Sequence, residues 1–442
     1  MPTILRLPRN RPLAGWGQDY FPGNVPFQDL PHPEQTTPDG QNDVFYGYVE
    51  KGSSTASACY GGNIEVTPPV RGYPFGRTYV GSNLKRADMV LYDFLASQRL
   101  QAKRTGTSTY DLIEIDVDWL SVGHVDEIMT FVPTGVLGGF GTLLAHPERA
   151  YNLLAKAPAN RAVFYKPGSK EAHGKVVSAT ATSLTVDITP PPGFGNLGYL
   201  RIYRGAGQGQ VARVIDWTGN TILISNVWDL PNASYVFIGT RSPVFSNYGW
   251  LVQPNATSMF TIVEDCQMWR DGNGAPFPAL MIAEELVQDS WLWGRNFQNG
   301  NDNVQYRIWD SPLGPRQKLD DELGKYLNVK KFPLFYMSEL PLQDADAMSP
   351  NVVNMLVFNR GRYYLFIGQP LGPRRTPGDD STDLLRMDVE NITTKLNCTP
   401  VFVDTWDYHI REGNSHCGTN VRLTSPQTTQ HKFRTWWERW PE

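Results

Sequence analysis

The chain has few cysteines, no large excess of charge of one sign and no long apolar run, and each absence excludes a class of protein. Its cysteines are widely spaced without a Cys-x-x-Cys pair, which argues against a disulfide scaffold or a zinc site: Cys59, Cys266, Cys398 and Cys417. The formal net charge of −4 gives no basic footprint for nucleic acid. No apolar run reaches membrane length and the first residues lack a signal-peptide layout, so we expect a cytoplasmic protein without a membrane partner.

Glycine and proline are abundant instead. The 40 Gly and 34 Pro among 442 residues indicate a turn-rich chain and argue against a helical bundle. This length suits one large domain or two ordinary ones. Changes in residue pattern predict three parts, at 1–165, 166–240 and 241–442.

The middle part, 166–240, reads as a small all-β module. Short alternating runs separated by Gly, Pro and Asn predict strands near 176–177, 183–187, 199–203, 210–214, 221–224 and 235–238. Gly205–Gly209 has the composition of a phosphate-binding loop, but it lies between strands and opens no helix. We interpret it as a turn.

The flanking parts mix helices with strands. Apolar spacing predicts helices at 86–100, 148–157, 315–326 and 382–397. Apolar runs at 354–358 and 399–403 predict buried strands on either side of the last helix. The residue pattern thus predicts an α/β domain with an inserted β module.

Near the end of the chain, Cys417 lies among small residues in the segment from Tyr408 to Asn420. Glycine lets a substrate approach the backbone, and nearby cations such as Arg411 and His416 favour a reactive thiolate. A buried, inert cysteine in a polar turn fits the segment equally well. In an extended segment His416 points away from Cys417, so we assign His416 a structural role.

A second polar pair lies far upstream, in the run from Ser121 to Glu127. On an extended strand the imidazole of His124 and the carboxylate of Asp126 face the same side, whereas Glu127 faces the other. The apolar flanks predict burial, where polar groups need partners or a function. Standing alone, such a pair is usually a satisfied structural contact.

Together the two segments resemble the catalytic signatures of the protein-arginine deiminase family, and they occur in the family's order. Further similar runs lie at Gly62–Val70, Asp93–Gln98 and Pro350–Val357. The resemblance covers roughly 1–160 and 300–442 and is limited to the family's catalytic domain. It implies a five-bladed α/β propeller with its site at the central hub, and conversion of peptidyl-arginine to citrulline.

The resemblance also implies roles for the matching residues. Cys417 would be the nucleophile, His124 the proton shuttle and Asp126 a carboxylate that binds the guanidinium. The chemistry is consistent with these roles, because a planar guanidinium with five N–H donors needs carboxylate acceptors, and its carbon needs a soft nucleophile. Arg411 is a further candidate for substrate binding.

The family has a second guanidinium-binding aspartate in a Trp-x-Gln-Asp motif, and two assignments compete for it. Trp16–Asp19 fits the motif and would make Asp19 that carboxylate. Residues 8–13 instead resemble a segment that follows the motif in the family, with Arg11 as the arginine that grips the substrate backbone. In the family the arginine segment follows the Trp-x-Gln-Asp motif, but here Arg11 precedes Asp19, so the two assignments cannot both hold. Either the Arg11 match is accidental or the aspartate precedes Met1. We favour the second reading.

Calcium is a possible cofactor, because it shapes this site in animal members of the family. Glu65 matches one calcium ligand, and Asn10 matches another when the chain is aligned on Arg9–Arg11. Arg6 replaces an acidic ligand and opposes a cation there. We expect at most one of the family's calcium sites to persist.

These inferences lead to the hypothesis of a hydrolase that acts on arginine-containing proteins. One alternative is a deiminase or amidinotransferase of the same superfamily that acts on free arginine or another small guanidine. The other is an inactive binding or structural protein in which the β module is the working part.

Overall fold

The computed structural model describes residues 4–6, 27–29, 61–68, 76–82, 112–133, 140–195, 197–230, 242–298, 300, 303–323, 329–339, 343–359 and 361–417. The chain divides into two compact units. The first comprises Met1–Leu144, Arg307–Lys330 and His416–Glu442, and the second comprises Ala145–Tyr306 and Lys331–Ser415. The helix predicted at 86–100 lies outside the described residues.

The described residues form a mixed α/β structure that consists mostly of strands. The strands are β1 (Ile4–Arg6), β2 (Phe27–Asp29), β3 (Ile64–Val66), β4 (Thr78–Ser82), β5 (Ile113–Asp116), β6 (Met129–Pro133), β7 (Phe140–Ala145), β8 (Ala162–Val163), β9 (Glu171–Ala179), β10 (Ser183–Val186), β11 (Gly198–Arg204), β12 (Gln210–Thr218), β13 (Thr221–Asp229), β14 (Val244–Ser246), β15 (Met259–Val263), β16 (Met268–Arg270), β17 (Pro276–Pro278), β18 (Met281–Ile282), β19 (Val329–Phe332), β20 (Tyr336–Glu339), β21 (Gln343–Ala347), β22 (Leu356–Asn359), β23 (Tyr363–Gly368) and β24 (Cys398–Val403). The α-helices are α1 (Pro147–Leu154), α2 (Ala283–Gln288), α3 (Ser290–Trp293), α4 (Val304–Trp309), α5 (Pro315–Leu323), α6 (Leu384–Lys395) and α7 (Trp406–His409). The helices predicted at 148–157, 315–326 and 382–397 correspond to α1, α5 and α6.

In the first unit, a three-stranded sheet carries the elements next to the candidate site. β4 is its central strand, antiparallel to β3 and parallel to β5. Ile113 and Ile115 of β5 are both buried. They lie on the same face of the strand, because successive side chains point to opposite faces. Short 3-10 turns at Gly61–Asn63 and Val125–Glu127 precede β3 and β6.

In the second unit, six strands form a closed barrel in the order β10-β9-β15-β11-β12-β13, and β13 pairs with β10 to close it. Its interior is apolar and includes Leu184, Leu200, Val214, Trp217 and Phe260. β14 pairs with β13 near its end, at Val227–Asp229. The barrel accounts for most of the predicted β module.

The barrel differs from the predicted module in extent. It runs from Glu171 to Val263, because β15 returns to pair between β9 and β11. Gly205–Gly209 is a turn between β11 and β12, as predicted, with positive φ at its first, third and fifth residues. The strand predicted at 235–238 lies outside the described residues.

Two buried ion pairs join the barrel to the rest of the second unit. Arg201 of β11 pairs with Glu285 of α2. Arg374, which is fully buried, places Nη2 at 3.0 Å from Glu171 Oε2 and Nη1 at 3.0 Å from Asp380 Oδ1. The barrel is therefore electrostatically anchored within this unit.

A strand-helix-strand sequence precedes the end of the second unit. β22, β23 and β24 form one sheet, with β23 parallel to β24 and α6 connecting them. Asp383 begins α6 by accepting hydrogen bonds from the backbone N–H groups of Leu385 and Arg386. Leu385, Val389 and Ile392 are buried along one face of this helix, at the apolar spacing that predicted it.

Across the described residues, none of the helices combines the length and apolar character needed to cross a membrane.

Candidate active site

The segment from His124 to Glu127 is a turn and not the extended strand predicted from its sequence. Gly123 has φ +78°, which turns the chain immediately before His124. The Glu127 side chain then folds back, and its Oε1 accepts a hydrogen bond of 2.8 Å from the backbone N–H of His124. Glu127 therefore caps the 3-10 turn Val125–Glu127, while Asp126 is fully buried and His124 nearly so.

The first unit brings His124, Asp126 and Cys417 together across almost 300 residues of sequence. Cys417 Sγ lies 3.8 Å from Asp126 Oδ2, and His124 Nδ1 lies 4.0 Å from Asp126 Oδ1. A thiol, a carboxylate and an imidazole thus share one small region. This is the grouping that the sequence predicted.

His416 also belongs to this region. Its structural role was predicted from an extended segment, and the segment is not extended. Residues 415–417 form a turn, so the His416 side chain reaches the site. Its Nδ1 lies 2.8 Å from Asp126 Oδ2, the same oxygen that faces Cys417. Because an ionised carboxylate only accepts, Nδ1–H of His416 is the donor.

The 3-10 turn Gly61–Asn63 packs against the Asp126 carboxylate. A Cβ built on Gly62 would lie 2.6 Å from Asp126 Oδ2, which is closer than real Cβ atoms come to other atoms. Asn63 holds this turn in place, because its side chain both accepts from the N–H of Gly81 at 3.0 Å and donates to the Gly81 carbonyl at 3.2 Å. Gly62 therefore leaves the space that the carboxylate occupies.

Two titratable neighbours of Asp126 have shifted pKa values. The hydrogen bond to Asp126 is the largest cause that raises the pKa of His416, against an opposing effect of burial. Burial, together with the negative charge of Asp126, raises the pKa of Glu65 to about 8, while His416 opposes this shift. Asp126 thus favours the charged form of the His416 imidazole, and burial favours the protonated form of Glu65 at neutral pH.

The thiols differ in environment. Cys417 is exposed, whereas Cys266 and Cys398 are buried. Burial raises the pKa of both buried thiols, that of Cys398 to about 11. The alternative interpretation of Cys417 as a buried cysteine is therefore wrong about its burial.

Four predicted site residues remain. Asn10, Arg11 and Asp19 lie outside the described residues. Arg411 is exposed and belongs to the second unit. Sequence reasoning could have found His416 from its position beside Cys417, but only if the segment had been read as a turn.

Glu65 is the described residue that matches a calcium ligand of the family. Within the part of the chain that the structure describes, no group of three or more His, Cys, Asp or Glu side chains could hold a metal ion. Glu65 instead interacts electrostatically with His416 and Asp126. Among the described residues, Glu65 therefore lacks the cluster of acidic ligands that a calcium site needs.

Comparison with known proteins gives one family. A model of the protein-arginine deiminase family matches residues 41–188 and 287–438. Human protein-arginine deiminase type-4 is 24% identical over 436 residues, which cover 96% of this chain and 43% of that protein. Human type-3 is 34% identical over 182 residues, 38% of this chain and 25% of that protein. Rat type-3 is 40% identical over 120 residues, 24% of this chain and 17% of that protein.

The family model covers the site and leaves out much of the barrel. The matched ranges contain Glu65, His124, Asp126, His416 and Cys417, while residues 189–286 lie between them. The fold and site define a mixed α/β protein that groups an exposed thiol with a carboxylate and two imidazoles. The chain belongs to the protein-arginine deiminase family. It spans less than half the length of the curated relatives compared above.

Proposed function

We propose that this chain converts arginine residues in proteins to citrulline and releases ammonia through a covalent intermediate on Cys417. The observation that carries the proposal is the 3.8 Å separation between Cys417 Sγ and the Oδ2 atom of the buried Asp126 carboxylate. A carboxylate at that distance can hold a guanidinium by its N–H groups while the thiol faces the guanidinium carbon. Membership of the family supports the same reaction.

The proposed reaction has two halves. The Cys417 thiolate attacks the guanidinium carbon to form a C–S bond, and the C–N bond to the departing ammonia breaks as His124 donates a proton. Water then adds to the thiol-linked carbon as His124 takes up a proton. The C–S bond breaks, the thiolate returns, and the product is citrulline.

The test is Cys417→Ala, which removes the atom that forms the covalent bond. We expect citrulline formation to fall by at least about a thousandfold with the fold retained. Cys398→Ala is the matched control, because it removes a buried thiol from the second unit, and it should keep wild-type activity. Residual turnover of Cys417→Ala within about tenfold of wild type would refute the nucleophile assignment.

The substrate class is tested by ammonia release from a protein, from benzoyl-arginine amide and from free arginine. The proposal expects turnover of the protein and the blocked amide. Turnover of free arginine alone would favour the small-guanidine alternative. If no substrate turned over and Cys417 did not react with a haloacetamidine, the chain would be a binding or structural protein.

We also propose that the α/β elements outside the barrel form a five-bladed propeller with the site at its hub. The β22-β23-β24 sheet with its connecting helix α6 supports a repeat of small α/β units. A crystal structure with any number of such units other than five would refute this proposal.

A cytoplasmic location is proposed from the composition of the chain. Cell fractionation that recovers the protein with membranes or the secreted fraction would refute it.

A further inference from the structure

Asp126 Oδ2 has two neighbours that are consecutive in sequence. His416 Nδ1 lies 2.8 Å from this oxygen, and Cys417 Sγ lies 3.8 Å from it. The last torsion of an aspartate side chain is broad, so the side chain alone does not fix the orientation of its carboxylate. A hydrogen bond to one oxygen restricts that rotation.

We propose that His416 is a positioning residue that holds the Asp126 carboxylate in the orientation that accepts the substrate's guanidinium. This inference rests on the proposed function and extends it to a residue outside the nucleophile, the proton shuttle and the guanidinium carboxylate. His416 acts through Asp126, and it forms no bond to the substrate carbon.

The hydrogen-bonding capacity of Asp126 allows this arrangement. An ionised carboxylate offers about four lone-pair sites on its two oxygens. One N–H from His416 occupies a single one of these sites, on Oδ2. His416 can therefore orient the carboxylate while using one acceptor site of several.

The two imidazoles face different oxygens of this carboxylate. His416 lies within hydrogen-bond distance of Oδ2, whereas His124 Nδ1 is 4.0 Å from Oδ1, which is beyond that distance. Moreover, the His416 side chain keeps about a third of its surface exposed, while that of His124 is almost completely buried. This separates a positioning imidazole from the one that moves protons.

The turn at 415–417 links the positioning group to the nucleophile. Because His416 and Cys417 are joined by one peptide bond, a shift of this turn moves the thiol and the Asp126 contact together. The relation between thiol and carboxylate is thus set by a single backbone turn. A change of the His416 side chain should alter the carboxylate while leaving the thiol in place.

The experiment compares two alkylating agents of similar size on the full chain. Chloroacetamidine carries a cationic amidine that needs Asp126, whereas chloroacetamide is neutral and reports thiol reactivity alone. The ratio of their second-order inactivation rates is measured for wild type, His416→Ala, His416→Asn, Asp126→Asn and the double variant Asp126→Asn/His416→Ala. His416→Asn is the matched control, because its amide N–H can replace Nδ1–H without the ring.

We expect His416→Ala to lower the amidine-to-amide ratio about tenfold, the loss of one hydrogen bond to a charged group. His416→Asn should restore it to within about threefold of wild type. The double variant should have the same ratio as Asp126→Asn, because His416 acts through that carboxylate. On an arginine substrate, His416→Ala should raise KM more than it lowers kcat.

Several outcomes would overturn the inference. They are an unchanged ratio in His416→Ala, an equal fall in both alkylation rates, and a His416→Asn variant as impaired as His416→Ala. A failure of the proposed function looks different. If the wild type made no citrulline but His416→Ala still lowered the ratio, the positioning role would stand and the proposed reaction would fail.

Discussion

The buried pair of Glu171 and Arg374 provides the sharpest test of how the barrel is held in the second unit. Glu171→Gln keeps the shape of the side chain and an oxygen that can accept from the backbone N–H of Ala162. It removes the charge opposite Arg374, whose side chain is fully buried. A buried cation that loses one of its anions is costly, because burial has already removed its water.

The magnitude follows from the partners that remain. Arg374 would keep Asp380 Oδ1 at 3.0 Å, the Ser169 carbonyl at 2.6 Å and the Tyr165 ring at 3.8 Å. Breaking a buried ion pair costs about 3–5 kcal/mol, and the remaining contacts favour the lower end, about 3 kcal/mol. For a unit of this size that loss corresponds to a fall of about 6–12 °C in Tm.

The assay is urea unfolding followed by tryptophan fluorescence, with equal m-values required of the variants. Glu390→Gln is the matched control, because the same substitution there breaks a partly exposed i,i+4 pair with Arg386. We expect that control to change the free energy of unfolding by about 0.5 kcal/mol or less. Combining Glu171→Gln with Arg374→Met should recover part of the loss, because the buried cation that lost one of its two anions is then gone. If Glu171→Gln unfolded within about 0.5 kcal/mol of wild type, the anchoring role of the pair would be refuted.

The remaining predictions concern the site and a helix cap. Asp126→Asn should lower kcat/KM for an arginine substrate by about a hundredfold or more. Glu127→Gln should lower it by less than about tenfold, because the amide oxygen can still accept from the His124 N–H. A larger loss in Glu127→Gln than in Asp126→Asn in steady-state assays would contradict both roles. Calcium titrations of activity against a chelated control should give a Hill coefficient no greater than one, and steep cooperativity would contradict the expectation of at most one calcium site. Burial raises the pKa of Asp383 to about 6, so the folded chain takes up a proton more readily than the unfolded chain, and the associated stability is present below pH ~3.8 and lost as pH rises through about 6. The stability of wild type relative to Asp383→Asn should therefore increase by about 1–2 kcal/mol as pH falls from 7 to 4.5, and urea titrations showing no such trend would contradict this assignment.

Features encoded by local sequence patterns were predictable. The apolar spacing of Leu385, Val389 and Ile392 places one face of α6 in the core, and a helix forms there. Short alternating runs separated by turn residues likewise predicted β11 to β13, because each of these strands pairs with the next one after a short turn. Short-range periodicity is sufficient for such elements.

Features that depend on distant contacts were harder to predict. β15 belongs to the barrel because it pairs with β9, some 85 residues earlier in sequence. His416 reaches Asp126 across 290 residues, and only the turn at 415–417 allows it. The turn at His124 could have been read from Gly123 and from Glu127 three residues after the cap, but its apolar flanks favoured a strand.

Gly62 has a consequence for reading the sequences of relatives. A side chain at this position would occupy space now filled by the Asp126 carboxylate, although position 62 itself takes no part in the proposed chemistry. A relative could therefore retain every reactive group and still be catalytically inactive, because one added methyl group displaces the carboxylate. The residue aligned with Gly62 can thus serve as a marker that separates active enzymes from pseudoenzymes when the nucleophile and both histidines are all present.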